Sequence, residues 1–158
     1  MPQTSSKVYI NGVAARGPGF NTVDEYFHGL LQKRDMSTCL MMGKERFDHR
    51  FFHESIHQVK SLDPQIRFLL ELTYEALLDA GVSNFASLPT DNVGVYVGSS
   101  FSDFHSATLT DSPTGFEHSG AAGTMLANRI SRFFGFGGRS TKIDSACSSS
   151  LQALDMVP

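Results

Sequence analysis

The sequence predicts an α/β fold with a mostly parallel sheet and helices packed on it. The element order along the chain, strand, helix, helix, strand, helix, strand, helix, is the first ground. The second is the alternation of short β-branched runs with segments whose apolar residues recur every 3.6 positions. At 158 residues, 41% apolar and 18% charged, the chain fits one folded domain able to bury a core.

Lys7 to Gly12 (KVYING) reads as a short strand, and the RGPGF that follows as a turn built from glycine and proline. A helix should begin near Thr22. Thr22 and Glu25 have capping-box spacing, and Tyr26, Phe27, Leu30 and Leu31 follow at helical intervals. Residues 33–50 show no clean period. The clearest helix runs from about Pro64 to Ala80. Asp63 suits its N-cap, Pro64 its first turn and Gly81 the position past its end. Ile66, Leu69, Leu70, Thr73, Leu77 and Ala80 form one apolar stripe along it. Asn92 to Gly98 (NVGVYVG) reads as a buried strand, and Ser99 to Gly120 as a long loop holding a short helix. Thr124 to Phe134 is helical by period. Thr141 to Ile143 makes a last short strand, and Ser148 to Met156 the helix after it.

Composition narrows the function. A formal charge of −3 gives no basic patch, so nucleic acid is not an expected partner. Cys39 and Cys147 lie far apart and outside any CxxC spacing, against a zinc site and against a disulfide framework, although a single bridge stays open. MPQTSSKVYI lacks the apolar core of a signal peptide and no run could span a bilayer, which makes the cytoplasm the expected compartment. The six histidines and thirteen phenylalanines are scattered. Gly94-x-x-x-Gly98 and Phe134-Gly-Phe-Gly-Gly138 lack dinucleotide-fingerprint spacing and read as turn glycines. Lys60, Arg67, Arg129 and Arg132 read as solvated or structural charges, with Arg67 and Glu71 spaced to pair along one helix.

Cys147 is the residue with chemical promise. It falls where a strand ends and a helix begins, flanked by Ala146 and three serines, Ser148 to Ser150. A thiol there meets free backbone N–H groups and the positive end of a helix dipole, which favours thiolate. Strand–turn–helix placement is also how a nucleophile elbow lifts a reactive atom clear of a sheet. On context alone, a buried structural cysteine in a tight turn accounts for the same residues equally well.

The local sequence tips this balance. Asp144-Ser-Ala-Cys-Ser-Ser-Ser-Leu151 resembles the active-site segment of β-ketoacyl synthases, DTACSSSL, with Ser145 in place of Thr. Further segments, in the same order, cover nearly the whole chain. Gly12-Val-Ala-Ala-Arg16-Gly-Pro18 is similar to the family's opening GxxxRxP. Asp63-Pro-Gln-Ile-Arg67, Leu69-Leu-Glu71, Glu75-Ala76 and Asp79-Ala-Gly81 resemble MDPQxRLLLE…EAxEDAG, with Leu62 for Met. Asn92 to Gly98 resembles the TGVxVG strand, and Asn128-Arg-Ile-Ser131 the helix ahead of the active-site strand. The pattern most resembles the synthase domain of animal-type fatty acid synthase and modular polyketide synthases. Two departures stand out: Gly138-Arg-Ser140 replaces the family's GPS, leaving the path of that loop open, and residues 35–47 form a short segment.

The resemblance implies a thiolase-like fold, of which residues 1–158 are the N-terminal half only, ending soon after the cysteine. It implies that Cys147 accepts an acyl group from a phosphopantetheine thioester on an acyl carrier protein. A malonyl-type extender then loses CO₂ and its carbanion attacks the enzyme thioester, giving a 3-oxoacyl chain. The Cys147 N–H is the implied oxyanion donor of this half. The family's two histidines and second oxyanion donor belong to the later half, so the chain alone is expected not to condense. No cofactor or metal is expected to bind directly, and the complete domain is expected to be a homodimer. His28, His49, His53, His57, His105 and His118 match no family histidine motif; His105 and His118, in the long loop, are the two worth testing. Two other readings remain: a non-catalytic fragment that acts as a dimerisation partner, and a redox-sensing Cys147 on an inert module.

Overall fold

Two short strands make the sheet in the computed structural model, which describes residues 7–85, 88–102, 104 and 115–157. β1 (Val95–Gly98) and β2 (Ser140–Ile143) run parallel, in register from Val95 opposite Ser140 to Gly98 opposite Ile143. The expected strand at Asn92 starts later than the pattern suggests, because Thr90–Asn92 coil into a single 3₁₀ turn. Val95 N–H donates to Arg139 C=O at 2.7 Å, and Gly138 N–H to Val93 C=O at 3.1 Å. Arg139 therefore joins the ladder by its backbone while its side chain stays exposed, which is how the turn tolerates a charge where the family has proline.

Among the described residues six helices are named in chain order: α1 (Val23–Leu31), α2 (Ile56–Lys60), α3 (Pro64–Asp79), α4 (Glu117–Ala121), α5 (Met125–Phe134) and α6 (Ser149–Asp155). The chain divides into two compact units, Met1–Met42 with Leu72–Ser83, and Gly43–Glu71 with Asn84–Pro158.

In the first unit, Thr22 caps α1 by accepting from Glu25 N–H at 3.1 Å. The Glu25 carboxylate accepts from Asn21 N–H at 2.7 Å rather than from the cap residue, so the expected capping box closes one residue early. Gly17 and Phe20 exchange backbone bonds across the expected turn, with Gly19 at φ +81°. Gly12 and Arg16 explain their own spacing. A Cβ at Gly12 would lie 2.2 Å from Ala76 O, so only glycine lets this segment approach α3, and four residues on Arg16 pairs with Glu75. Val13 N–H adds a bond to the Asp79 carboxylate at 2.9 Å.

Two expectations fail in this unit. Lys7–Gly12 forms no strand: it has no ladder partner among the described residues, and Val8, Tyr9 and Ile10 are exposed. A β-branched run becomes a strand only when an edge receives its N–H and C=O groups. The apolar stripe of α1 is likewise exposed, Phe27 at 58% and Leu31 at 79%.

In the second unit, Asp63 caps α3 as expected, its Oδ1 accepting from Gln65 N–H at 2.7 Å. Ile66 and Leu70 of α3, with Leu62 just ahead of it, are the largest fully buried side chains among the described residues. α5 and α6 pack on both strands. α5 buries Leu126, Ala127, Ile130 and Phe134, and ends on Gly135 in the left-handed conformation. The scattered phenylalanines gather in space: Phe47 stacks on Phe52, Phe52 meets Phe133, Phe133 meets Phe134, and Phe134 stacks on Phe136, at centroid distances of 4.8–5.4 Å. Arg129, 6% exposed, is neutralised by Glu54 at 2.5 Å. Arg67 turns to Lys44 C=O at 3.2 Å, and burial lowers its pKa against the opposing charges of Asp63, Glu45 and Glu71.

Candidate active site

β2 ends at Ile143 and the chain turns within five residues into α6. Between them lies a 3₁₀ turn, Ala146–Ser148, with Cys147 at its centre. The expected helix at Ser148 thus begins at Ser149, and Cys147 precedes it rather than standing in its first turn. Its exposure removes the alternative of a buried structural cysteine. Both cysteines are free, so no bridge joins them.

The turn is held by its own polar side chains. Asp144 accepts from Lys142 Nζ at 2.8 Å and from Ala146 N–H at 3.3 Å, and these contacts hold its carboxyl below the usual carboxylate range. Ser148 Oγ donates to Ser145 C=O at 2.9 Å and lies 3.0 Å from Ser145 Oγ. Ser149, 4% exposed, uses one hydroxyl twice: it accepts from Ser145 N–H at 2.9 Å and donates to Ala146 C=O at 2.7 Å. Between these two bonds Ala146 takes φ +54°. That left-handed conformation costs an alanine roughly 1–2 kcal/mol, and two hydrogen bonds at about 1 kcal/mol each are enough to offset it.

From below, the turn rests on β1. A Cβ on Gly98 would fall 2.5 Å from the backbone C and O of Ser149 and the N of Ser150. Backbone atoms cannot swing aside, so glycine alone lets the strand end approach the start of α6. Gly98→Ala is expected to cost about 1–3 kcal/mol through overpacking and to slow alkylation of Cys147 by iodoacetamide. Urea melts and a timed alkylation check this; unchanged values in both would show that the contact is slack.

The loop after β1 is tied to α3. Ser99 N–H donates to Ile143 C=O at 3.1 Å and its hydroxyl to Gln65 Oε1 at 3.0 Å. Gln65 Nε2 donates to Phe101 C=O at 3.0 Å, and Ser102 Oγ to Asp63 Oδ2 at 2.5 Å. Asp63 and Gln65 thus secure a loop beginning at the strand end opposite Ile143.

Among the described residues no histidine hydrogen-bonds to this turn. His28 Nδ1 lies 2.9 Å from Asp24 O and His49 Nδ1 2.9 Å from Glu54 O, ordinary backbone hydrogen bonds. His53 packs against Phe133, and His57 lies in α2. His118 is exposed on α4, and His105 lies outside the described residues. Among the described residues no group of three or more His, Cys, Asp or Glu could hold a metal, and no helix is long and apolar enough to cross a membrane.

Cys147 thus stands as an exposed thiol on a braced, small-residue turn at a strand's end, and comparison with known proteins defines the class. The chain matches the model of the β-ketoacyl synthase N-terminal domain over residues 36–157. It is 38% identical to a non-reducing polyketide synthase of Gibberella zeae over 90% of the chain, which spans 6% of that relative. It is also 38% identical to the fatty acid synthase of Anser anser anser over 94% of the chain and 47% of that relative. In structure it resembles the ketosynthase from module 6 of the bacillaene synthase of Bacillus subtilis 168, with a TM-score of 0.77, 30% identity, and coverage of 92% of this chain and 27% of that one. An oxazolomycin ketosynthase domain of Streptomyces albus JA3453 gives a TM-score of 0.74 at 32% identity, covering 92% of this chain and 34% of that one.

The chain belongs to the β-ketoacyl synthase family. Its fold is the N-terminal half of the thiolase-like ketosynthase fold, and it spans less than half the length of these relatives.

Proposed function

We propose that this protein is the 3-oxoacyl-[acyl-carrier-protein] synthase component of a fatty acid or polyketide synthase, with Cys147 as its acyl acceptor. The carrying observation is the exposed Cys147 on a strand-to-helix turn, inside a segment that reads DSACSSSL. In the first stage the Cys147 sulfur attacks the carbonyl carbon of an acyl thioester borne on phosphopantetheine. A new sulfur–carbon bond forms, the bond to the pantetheine sulfur breaks, and the proton lost by Cys147 ends on the departing thiol. The Cys147 N–H donates to the oxyanion between these events. In the second stage a malonyl-type thioester loses CO₂, and the resulting carbanion attacks the Cys147 thioester carbonyl. A carbon–carbon bond forms, the Cys147 sulfur leaves, and the product is a 3-oxoacyl thioester. The partners are then an acyl carrier protein or domain and a second copy of the ketosynthase, in the cytoplasm.

The test supplies the intact protein with an acyl-carrier donor and a malonyl-carrier extender. An acyl mass on the Cys147 peptide and a 3-oxoacyl product are expected. A polypeptide of residues 1–158 alone should give no 3-oxoacyl product, because it holds none of the family's histidine motifs. Absence of any acyl adduct on the intact protein would overturn the assignment. Steady condensation by residues 1–158 would instead direct the search for a base to His105 and His118.

A further inference from the structure

We propose that Ser149 is a positioning residue for Cys147, acting through Ala146; this rests on Cys147 as the acyl acceptor. Three observations support it. Ser149 is buried to 4% exposure, yet its hydroxyl is fully used, accepting from Ser145 N–H and donating to Ala146 C=O. The residue between those two bonds and Cys147 is held at φ +54°, a conformation L-residues avoid. Ser149 itself cannot drift, since its backbone is seated against Gly98, where a Cβ would already overlap it. The hydroxyl therefore ties the peptide unit ahead of Ser145 to the one after Ala146, spanning the two residues before Cys147, and the direction in which the chain enters Cys147 follows from that clamp. Ser148, by contrast, is exposed, and among the described residues its hydroxyl bonds to Ser145 alone.

The clamp makes a prediction that a general packing role does not. Glycine adopts positive φ freely, so Ala146→Gly should reduce the need for the Ser149 hydroxyl. Four versions of the intact protein are compared: parent, S149A, A146G and A146G/S149A. Each is assayed for the rate of Cys147 alkylation by iodoacetamide across pH, for acyl loading from an acyl-pantetheine donor, and for melting temperature. S149A is expected to lower alkylation and loading by about tenfold to 10²-fold, the scale of small misplacements of a reacting group. In the A146G background the same change should cost roughly threefold or less, a coupling visible in the double-mutant cycle. Equal losses in both backgrounds, or S149A reacting like the parent, would overturn the proposal. If S149A alone unfolds, A146G/S149A against A146G carries the comparison, and a tenfold or larger loss there overturns it. Failure of the acyl-acceptor reading is seen separately: the parent then alkylates at Cys147 but does not load.

Discussion

Cys147→Ser is expected to abolish acyl loading while leaving the fold intact, and Cys39→Ser to leave loading unchanged. Serine keeps the size of the side chain and fits an exposed turn already built from serines, so the melting temperature should hold. What is lost is the sulfur nucleophile, and the loading rate should fall by on the order of 10³-fold or more, as when a covalent catalyst's nucleophile is removed. Cys39 has a different setting. It is partly buried, its sulfur 3.9 Å from Asp35 C=O, and it packs against Gly19, where a Cβ would come within 2.9 Å of the sulfur. Loading by an acyl-pantetheine donor, followed by peptide mass spectrometry, separates the two. A Cys147→Ser protein that still loads, or an acyl mass on the Cys39 peptide, would end the assignment of Cys147 as acyl acceptor.

The largest effect on stability is expected from Leu70→Asp. Leu70 is 1% exposed, one turn beyond the equally buried Ile66. Aspartate there forfeits about 1.5–3 kcal/mol of apolar burial and leaves a carboxylate without a partner, at several kcal/mol more. Against a total stability of about 5–15 kcal/mol, that sum is enough to abolish cooperative folding. Leu78→Asp on the same helix is the control: Leu78 is 44% exposed, and its replacement should remain soluble with little change in melting. Circular dichroism melts of both proteins decide the matter. A soluble L70D protein melting with the parent would remove this side chain from the core.

Elements with local signals were legible from sequence. α3 carries a cap, an initial proline and an apolar period, and it appears within a residue of its expected ends. α5 and the two strands follow from period and β-branching, and the parallel pairing from their order. The turn at Cys147 was legible because small residues are crowded between a strand and a helix signal. What failed needed distant partners. Lys7–Gly12 has strand composition but pairs with no edge among the described residues, and the apolar residues of α1 have the right period but are exposed. α2 was missed although Ser55 and Gln58 form a capping box, because five residues are too few to show a period. The Arg129–Glu54 pair spans 75 positions, and no local pattern announces it. Within the candidate site, Gly98 reads from sequence as a turn glycine but ends β1, and Ser149 reads only as a small neighbour of Cys147: the close approach that requires one and the buried bonds that occupy the other arise only when β1 and α6 meet.

Asp63 has a consequence for how the protein opens. One carboxylate oxygen holds the first turn of α3 and the other holds Ser102, while Gln65 in that same turn holds Ser99 and Phe101. Fraying of the helix start therefore releases the loop, and release of the loop frees the Asp63 carboxylate and the Gln65 side chain to move. The two segments, remote in sequence, should behave as a single cooperative opening unit, their amides exchanging with solvent through one shared fluctuation. Ser99 to Ser102 thereby draw on the local stability of a helix end.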